Sequence, residues 1–240
     1  MAIRPVFIVT LDDNFFNKDN TEFVFYSGFS IKQKQRSIQS LHNAFLLKYN
    51  NKKVLEISTK SDKEIGIRLS SFNLMLKTKH GKVFSVETAF QSSKVFEYGG
   101  PYKDLLHSTS RDAKTDMRLK TSGRLVSFFF NNQSYSIEPK TFFYNWLYIN
   151  ALQLNNDLAE QILEYDAFTD IAFNPEKSVN CQAEAAAIFV SLQKQGLLKA
   201  ALKSKEQFIE IVYKNRIIED DLFQTESAQR GLFPNIKPLL

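Results

Sequence analysis

The sequence predicts an α+β fold, a helix-rich single domain with a small N-terminal β portion and one later hairpin. Three observations carry this. Runs rich in β-branched and aromatic residues lie towards the front of the chain, and hydrophobic spacing turns helical from about residue 140 onward. Between them, GRLVSFFFNNQSYSIE (123–138) sets Asn131 and Asn132 between two apolar runs, which is a hairpin signal. The 240 residues suffice for one full core, and no break in composition asks for a second. The expected domain covers 1–215, with a loosely ordered tail over 216–240, where FQTESAQRGLFPNIKPLL shows no clear period.

Taken in order, RPVFIVT (4–10) and TEFVFYSGF (21–29) are expected strands joined by the polar DDNFFNKDN. A helix follows from Ser30, where Ser30 and Gln33 form a capping box and Ile31, Ile38, Leu41 and Phe45 recur at helical spacing. KVLEIS (53–58) and EIGIRLS (64–70) have strand character, and SFNLML (71–76) leads to a turn at Gly81. A helix capped by Ser85 is expected over 85–98 and stopped by Gly99, Gly100 and Pro101. STSRDAKTDMRLK (108–120) predicts a polar helix. Beyond the hairpin, KTFFYNWLYINAL, NDLAEQILEY, QAEAAAIFVSLQKQ and SKEQFIEIVYKN predict helices, the third stopped by Gly196 and the last opened by Ser204 and Gln207. Trp146 is an expected core residue.

Composition narrows the function. Hydrophobic residues make up 43% and charged residues 24%, as in ordinary globular proteins, although 22 phenylalanines are unusual. The single cysteine, Cys181, excludes an internal disulfide and suits a reducing cytoplasm. The first residues lack a signal-peptide core, and no stretch approaches a membrane span. His42, His80 and His107 are scattered without metal-ligand spacing, and no phosphate-loop or dinucleotide fingerprint occurs, so neither metal nor cofactor is expected. A net charge of +5 favours a polyanionic partner.

The chemistry concentrates in GKVFSVETAFQSSK (81–94). On a helix, Glu87, Gln91 and Lys94 fall within about 60° of one another and form a stripe beside Val86, Ala89, Phe90 and Phe96. That stripe is either a solvated face or the border of a cleft; in the second case a partly buried Lys94 has a lowered pKa and a nucleophilic amine. Arg111, Lys114, Arg118, Lys120 and Arg124 outnumber Asp112 and Asp116, which suits phosphate contact, although a solvated helix face with intrahelical pairs is the commoner meaning of such a run. Asp166 and Asp170 precede a helix start expected at Asn180, a place able to hold a pyrophosphate or ribose.

This stretch resembles the motif of the NADAR (YbiA-like) family: a Gly-Lys turn, an aromatic, a Glu, a Gln four residues on and a Lys seven residues after the Glu. SRDAK (110–114) resembles the family's Ser-x-Arg-Glu-Ala-Lys-type element, and SFNL (71–74) its Ser-Asn-Phe element with the order altered. The Asp-x-x-Trp-Gly element usual in much of the family is replaced by DAFTDIAFN. GFSIKQKQRSI, LEISTKS and AFTDIAFNPEKSVNCQA are similar to the NADAR branch that partners DarT-type DNA ADP-ribosyltransferase toxins.

The resemblance implies an antitoxin that removes ADP-ribose from guanine bases in DNA, single-stranded substrate being favoured because a paired base must be exposed. It implies Lys94 as a Schiff-base nucleophile and Glu87 as acid and base. Gln91, Arg111, Lys114, Asn73, Asn180 and one of Asp166 and Asp170 are the implied ligand-binding residues. Two other readings stand beside it: an N-glycosidase acting on a small phosphorylated heterocycle such as a riboflavin-pathway intermediate, and a non-catalytic reader of ADP-ribose or DNA.

Overall fold

A computed structural model describes residues 1–77, 81–176 and 178–214; the tail expected over 216–240 lies outside the described residues. Strands β1 (Ala2–Val9) and β2 (Phe16–Phe23) form an antiparallel pair running from Ala2 opposite Phe23 to Val9 opposite Phe16. The second strand therefore starts earlier than expected and includes the polar FNKDN. It lies at the edge of its sheet, where polar residues are tolerated because one side faces water.

Helix α1 (Ile31–Lys48) opens with the expected capping box, Gln33 N–H donating to Ser30 Oγ at 3.2 Å. It is followed by β3 (Val54–Glu56) and α2 (Glu64–Arg68). The segment EIGIRLS is thus helical and not a strand. Ile65 and Leu69 lie four apart and pack inward on a helix as well as alternation would place them on a strand, an ambiguity that short apolar runs always carry. Gly66 lets α2 press on β3, since a Cβ there would sit 2.1 Å from the carbonyl oxygen of Glu56.

Next come β4 (Met75–Lys77), β5 (Val83–Ser85), α3 (Val86–Ser92) and β6 (Lys94–Phe96). The helix expected over 85–98 is therefore only seven residues long, and its second half is a strand. A 3-10 turn (Lys103–His107) leads to α4 (Ser110–Thr115) and α5 (Arg118–Thr121). The expected polar helix is broken because Asp116 is extended, with φ −56° and ψ 128°. Strands β7 (Leu125–Phe130) and β8 (Gln133–Tyr135) make the expected hairpin, and Asn131 and Asn132 supply the positive φ angles of its two-residue turn, 49° and 59°. Helices α6 (Phe142–Gln153) and α7 (Asn156–Gln161) precede β9 (Ala167–Thr169), which the sequence did not reveal as a strand. The chain then runs through α8 (Gln182–Lys194), α9 (Leu198–Ala201) and a helical segment over 205–214.

The main sheet has the order β2-β1-β9-β3, with β9 parallel to β3 and antiparallel to β1. Both of its faces are buried. Val6, Ile8, Val54 and Ala167 join Ile38, Leu41 and Phe45 of α1, whereas Phe7, Leu55 and Phe168 point to the larger core that includes α6 and α8. The strand period of two assigns adjacent residues to opposite cores. Many phenylalanines serve a second junction, where the β6-β7-β8 meander docks on α3 and α6. Phe128 stacks on Phe143 at 4.6 Å between centroids, and Phe90 lies 5.4 Å from Phe128. Trp146 is half-buried against this core and meets Phe208 edge-on.

Candidate active site

Helix α3 starts where Ser85 Oγ accepts the Thr88 N–H at 3.1 Å, so its first turn carries Glu87 inward. Glu87 is buried, 4% exposed, yet none of its hydrogen-bond partners is a close cation. Ser71 Oγ donates to Oε2 at 3.0 Å and Gln91 Nε2 donates to Oε1 at 2.9 Å. The Lys114 amine stands off at 3.9 Å from Oε1. A buried carboxylate held by neutral donors stays oriented without being locked into an ion pair.

Lys94 follows one residue after the C-cap of α3, at the first position of β6, and pairs with Phe128 across the meander. It therefore faces Glu87 from a strand and not from a second turn of the same helix. Its amine lies 4.8 Å from the centroid of Phe90 and makes no ion pair within 4.0 Å among the described residues. Burial lowers its pKa to about 8, against the opposing pull of Glu87 and helped by the positive charge of Lys114. Roughly a quarter of the amine is then neutral near pH 7.5, against about a thousandth for an ordinary lysine. Gly100 guards this position: with φ +82°, a Cβ there would stand 2.3 Å from the Lys94 carbonyl oxygen.

Behind Glu87 runs a continuous polar chain. The backbone N–H of Ser71 donates to Gln182 Oε1 at 2.8 Å, and Gln182 Nε2 donates to Asp170 Oδ2 at 3.0 Å and to the carbonyl of Ile57. Asp170 Oδ1 accepts from the N–H of Ala172 at 3.0 Å. Burial pushes the Asp170 carboxyl upward, while the Ala172 N–H and the charge of Lys114 pull it back. Tyr144 shares the hydroxyl of Ser71, and burial next to Glu87 raises its phenol well above the ordinary value. One acceptor stays unmatched: Gln91 Oε1 is buried with no hydrogen-bond partner.

The structure thus brings together Glu87, Gln91, Lys94, Lys114 and Asp170. Asp166 is elsewhere: its carboxylate accepts the Lys53 N–H at 2.9 Å and its backbone ties β9 to β3 and β1, a role in the sheet. Asn73 is exposed and its amide donates to the Ile67 carbonyl at 2.9 Å, closing the end of α2, so Ser71 and not Asn73 is the polar residue of SFNL that reaches Glu87. Asn180 precedes the N-cap of α8, which is Cys181 and not Asn180. Arg111 is exposed on α4, whereas Arg118 is taken by Asp104 and Asp116 and Arg124 by Glu97. Gln182, Ser71 and Tyr144 were not singled out from the sequence; an amide at the head of QAEAAAIFV, whose other polar residue is Glu184, was the available signal for Gln182. Among the described residues no group of three or more His, Cys, Asp or Glu is placed to hold a metal ion.

The α+β architecture is consistent with the NADAR fold. More narrowly, residues 2–221 match the family model described as the DarT1-associated NADAR antitoxin, and the chain belongs to that family. No curated protein matches it. No helix among the described residues is long and apolar enough to cross a membrane.

Proposed function

We propose that the protein is an ADP-ribosyl-guanine DNA glycohydrolase, an antitoxin that strips ADP-ribose from DNA modified by a DarT-type toxin. The observation that carries this reading is the Lys94 amine, desolvated and free of any ion pair among the described residues, two residues beyond the end of the helix that buries Glu87. Neutral Lys94 attacks the anomeric carbon as the ribose opens, the bond to the base nitrogen breaks, and Glu87 delivers the proton the base takes up. One amine proton goes to the ring oxygen as its bond to the anomeric carbon breaks, and the other passes through Glu87 to the departing base, which leaves the nitrogen–carbon bond as a Schiff base. Water, deprotonated by Glu87, then adds to that carbon and releases Lys94 with free ADP-ribose.

Asp170, held through Gln182, binds the ribose hydroxyls in this scheme. Lys114 and exposed Arg111 meet the pyrophosphate, assisted by the start of α8 beside Asn180. The unmatched Gln91 Oε1 accepts from a donor on the substrate. Family membership supports the antitoxin role and, with it, a DarT-type partner and a nucleic-acid substrate.

Borohydride trapping with a guanine-ADP-ribosylated oligonucleotide tests the covalent step. Wild-type protein yields an adduct and Lys94→Ala none; an adduct surviving that substitution removes Lys94 as the nucleophile. Release of free base from a phosphorylated heterocycle, with modified DNA left intact, would transfer the same chemistry to a small substrate. Undiminished toxin protection by Lys94→Ala would make the protein a reader.

A further inference from the structure

Glu56 is buried at the end of β3, 1% exposed, and no step of the reaction above uses it. A carboxyl in that position is costly unless its oxygens are matched. They are matched by the two residues on either side of Asp170. Thr169 Oγ1 donates to Glu56 Oε2 at 2.6 Å, and the N–H of Ile171 donates to Glu56 Oε1 at 2.9 Å. The parallel pairing of Glu56 with Thr169 at the ends of β3 and β9 makes this grip possible, since it brings the side chain alongside the residues that leave the sheet.

We propose that Glu56 is a positioning residue for Asp170: by holding residues 169 and 171 at once, it fixes residue 170 between them and aims its carboxyl at Gln182 and the active site. This rests on the reading of Asp170 as a substrate-binding group. The grip is extended on the far side of the sheet. His42 on α1 faces Thr169 Oγ1 at 2.9 Å through Nε2 and lines a cavity of about 490 Å³ together with Glu56, Lys53, Asp62 and Lys63. Where the Thr169 hydroxyl donates to Glu56, its oxygen is left to accept from His42 Nε2. Burial lowers the His42 pKa to about 4, opposed by Asp62 and aided by Lys63, so the neutral ring with its proton on Nε2 is the form that fits this arrangement.

Charge follows from the same geometry. The groups facing the Glu56–Asp170 pair are Thr169, Ile171 and Ser58 on Glu56, and Lys114, Gln182, Ala172 and Phe173 on Asp170; Tyr148 and Cys181 stand close enough to feel the Asp170 charge. Burial first, and then the charge of Asp170, pushes the Glu56 carboxyl up toward neutrality. Two adjacent carboxylates in a dry site cannot both ionise easily, so the pair holds on to one proton more tightly than either group would alone.

Two measurements test this. In free protein, carboxyl titration by carbon NMR should show Glu56 releasing its proton at lower pH in Asp170→Asn than in wild type. An unmoved Glu56 titration means that the two carboxyls do not face each other and overturns the proposal, whatever the protein's substrate. For binding, calorimetry with ADP-ribose should show Glu56→Gln and Thr169→Val each weakening affinity roughly tenfold, with Asp170→Asn/Glu56→Gln no weaker than Asp170→Asn alone. If the double variant instead loses the product of the two single effects, or if both Glu56→Gln and Thr169→Val lower Tm with affinity unchanged, Glu56 serves the fold only. If ADP-ribose binds no variant and not the wild type either, while the NMR arm behaves as expected, it is the assigned substrate that fails, and the grip on Asp170 stands.

Discussion

Ser71 donates its hydroxyl to Glu87 Oε2 at 3.0 Å while its backbone N–H is held by Gln182 at 2.8 Å, so one residue couples the carboxylate of α3 to the first residue of α8. Ser71→Ala removes the donor and leaves a buried carboxylate oxygen unmatched. The expected cost is about 1.5–3 kcal/mol of stability, the range for hydrogen bonds to charged groups, with kcat reduced as Glu87 loses its orientation. Denaturant unfolding and steady-state kinetics on modified oligonucleotide check both. Glu87→Gln, by contrast, is expected to lower kcat by roughly 10²–10⁴ with little change in substrate affinity.

Lys94→Met should abolish covalent trapping and raise Tm at neutral pH. The folded-state pKa of Lys94, about 8, lies below its ordinary value of 10.5. Between those values the unfolded chain binds the extra proton, so this group's contribution to stability rises with pH across that window. Below pH 8 the wild type carries the full cost of burying the charge. The gain from Lys94→Met is therefore largest there and fades towards pH 10.5, which thermal melts over a pH series will show.

The same amine predicts a rate profile. Trapping and turnover should increase with pH through about 8 as Lys94 loses its proton. Lys114→Met removes a positive neighbour that helps hold the pKa down, so the rising limb should move to higher pH. A limb that stays in place would show that another group titrates.

Gly100→Ala should damage the site from outside it. The position combines φ +82° with a 2.3 Å approach of the added Cβ to the Lys94 carbonyl oxygen, so the β6 backbone must shift. A loss of at least about 1 kcal/mol is expected from the left-handed backbone alone. Activity should fall further than stability because the displaced residue is Lys94. Comparison of kcat with the unfolding midpoint separates the two effects.

Much of this was legible in the chain. The capping box at Ser30, the Asn131–Asn132 turn and the cap at Ser85 are local signals, and each formed as expected. Glu87, Gln91 and Lys94 could be singled out by spacing, but the assumption of one helix was wrong. KVF is β-branched and aromatic, and its partner strand β7 lies thirty residues on, beyond the reach of any periodicity argument. Strand β9 escaped for a similar reason: three buried residues, Ala167, Phe168 and Thr169, are held by β1 and β3 and not by their own propensity. Choosing Asp170 over Asp166 required the tertiary contacts with Gln182 and Lys53, which separate two acids that look alike in sequence.

The placement of acid and amine on different kinds of element limits how the site can be borrowed. Transplanting α3 alone into a foreign scaffold would carry Glu87 and Gln91 but leave Lys94 without the meander that anchors it. The shortest stretch carrying both side chains and the strands that seat Lys94 runs from Ser71 to the end of β8, and it still depends on a host able to replace Phe143 beneath Phe128 and Gln182 behind Ser71.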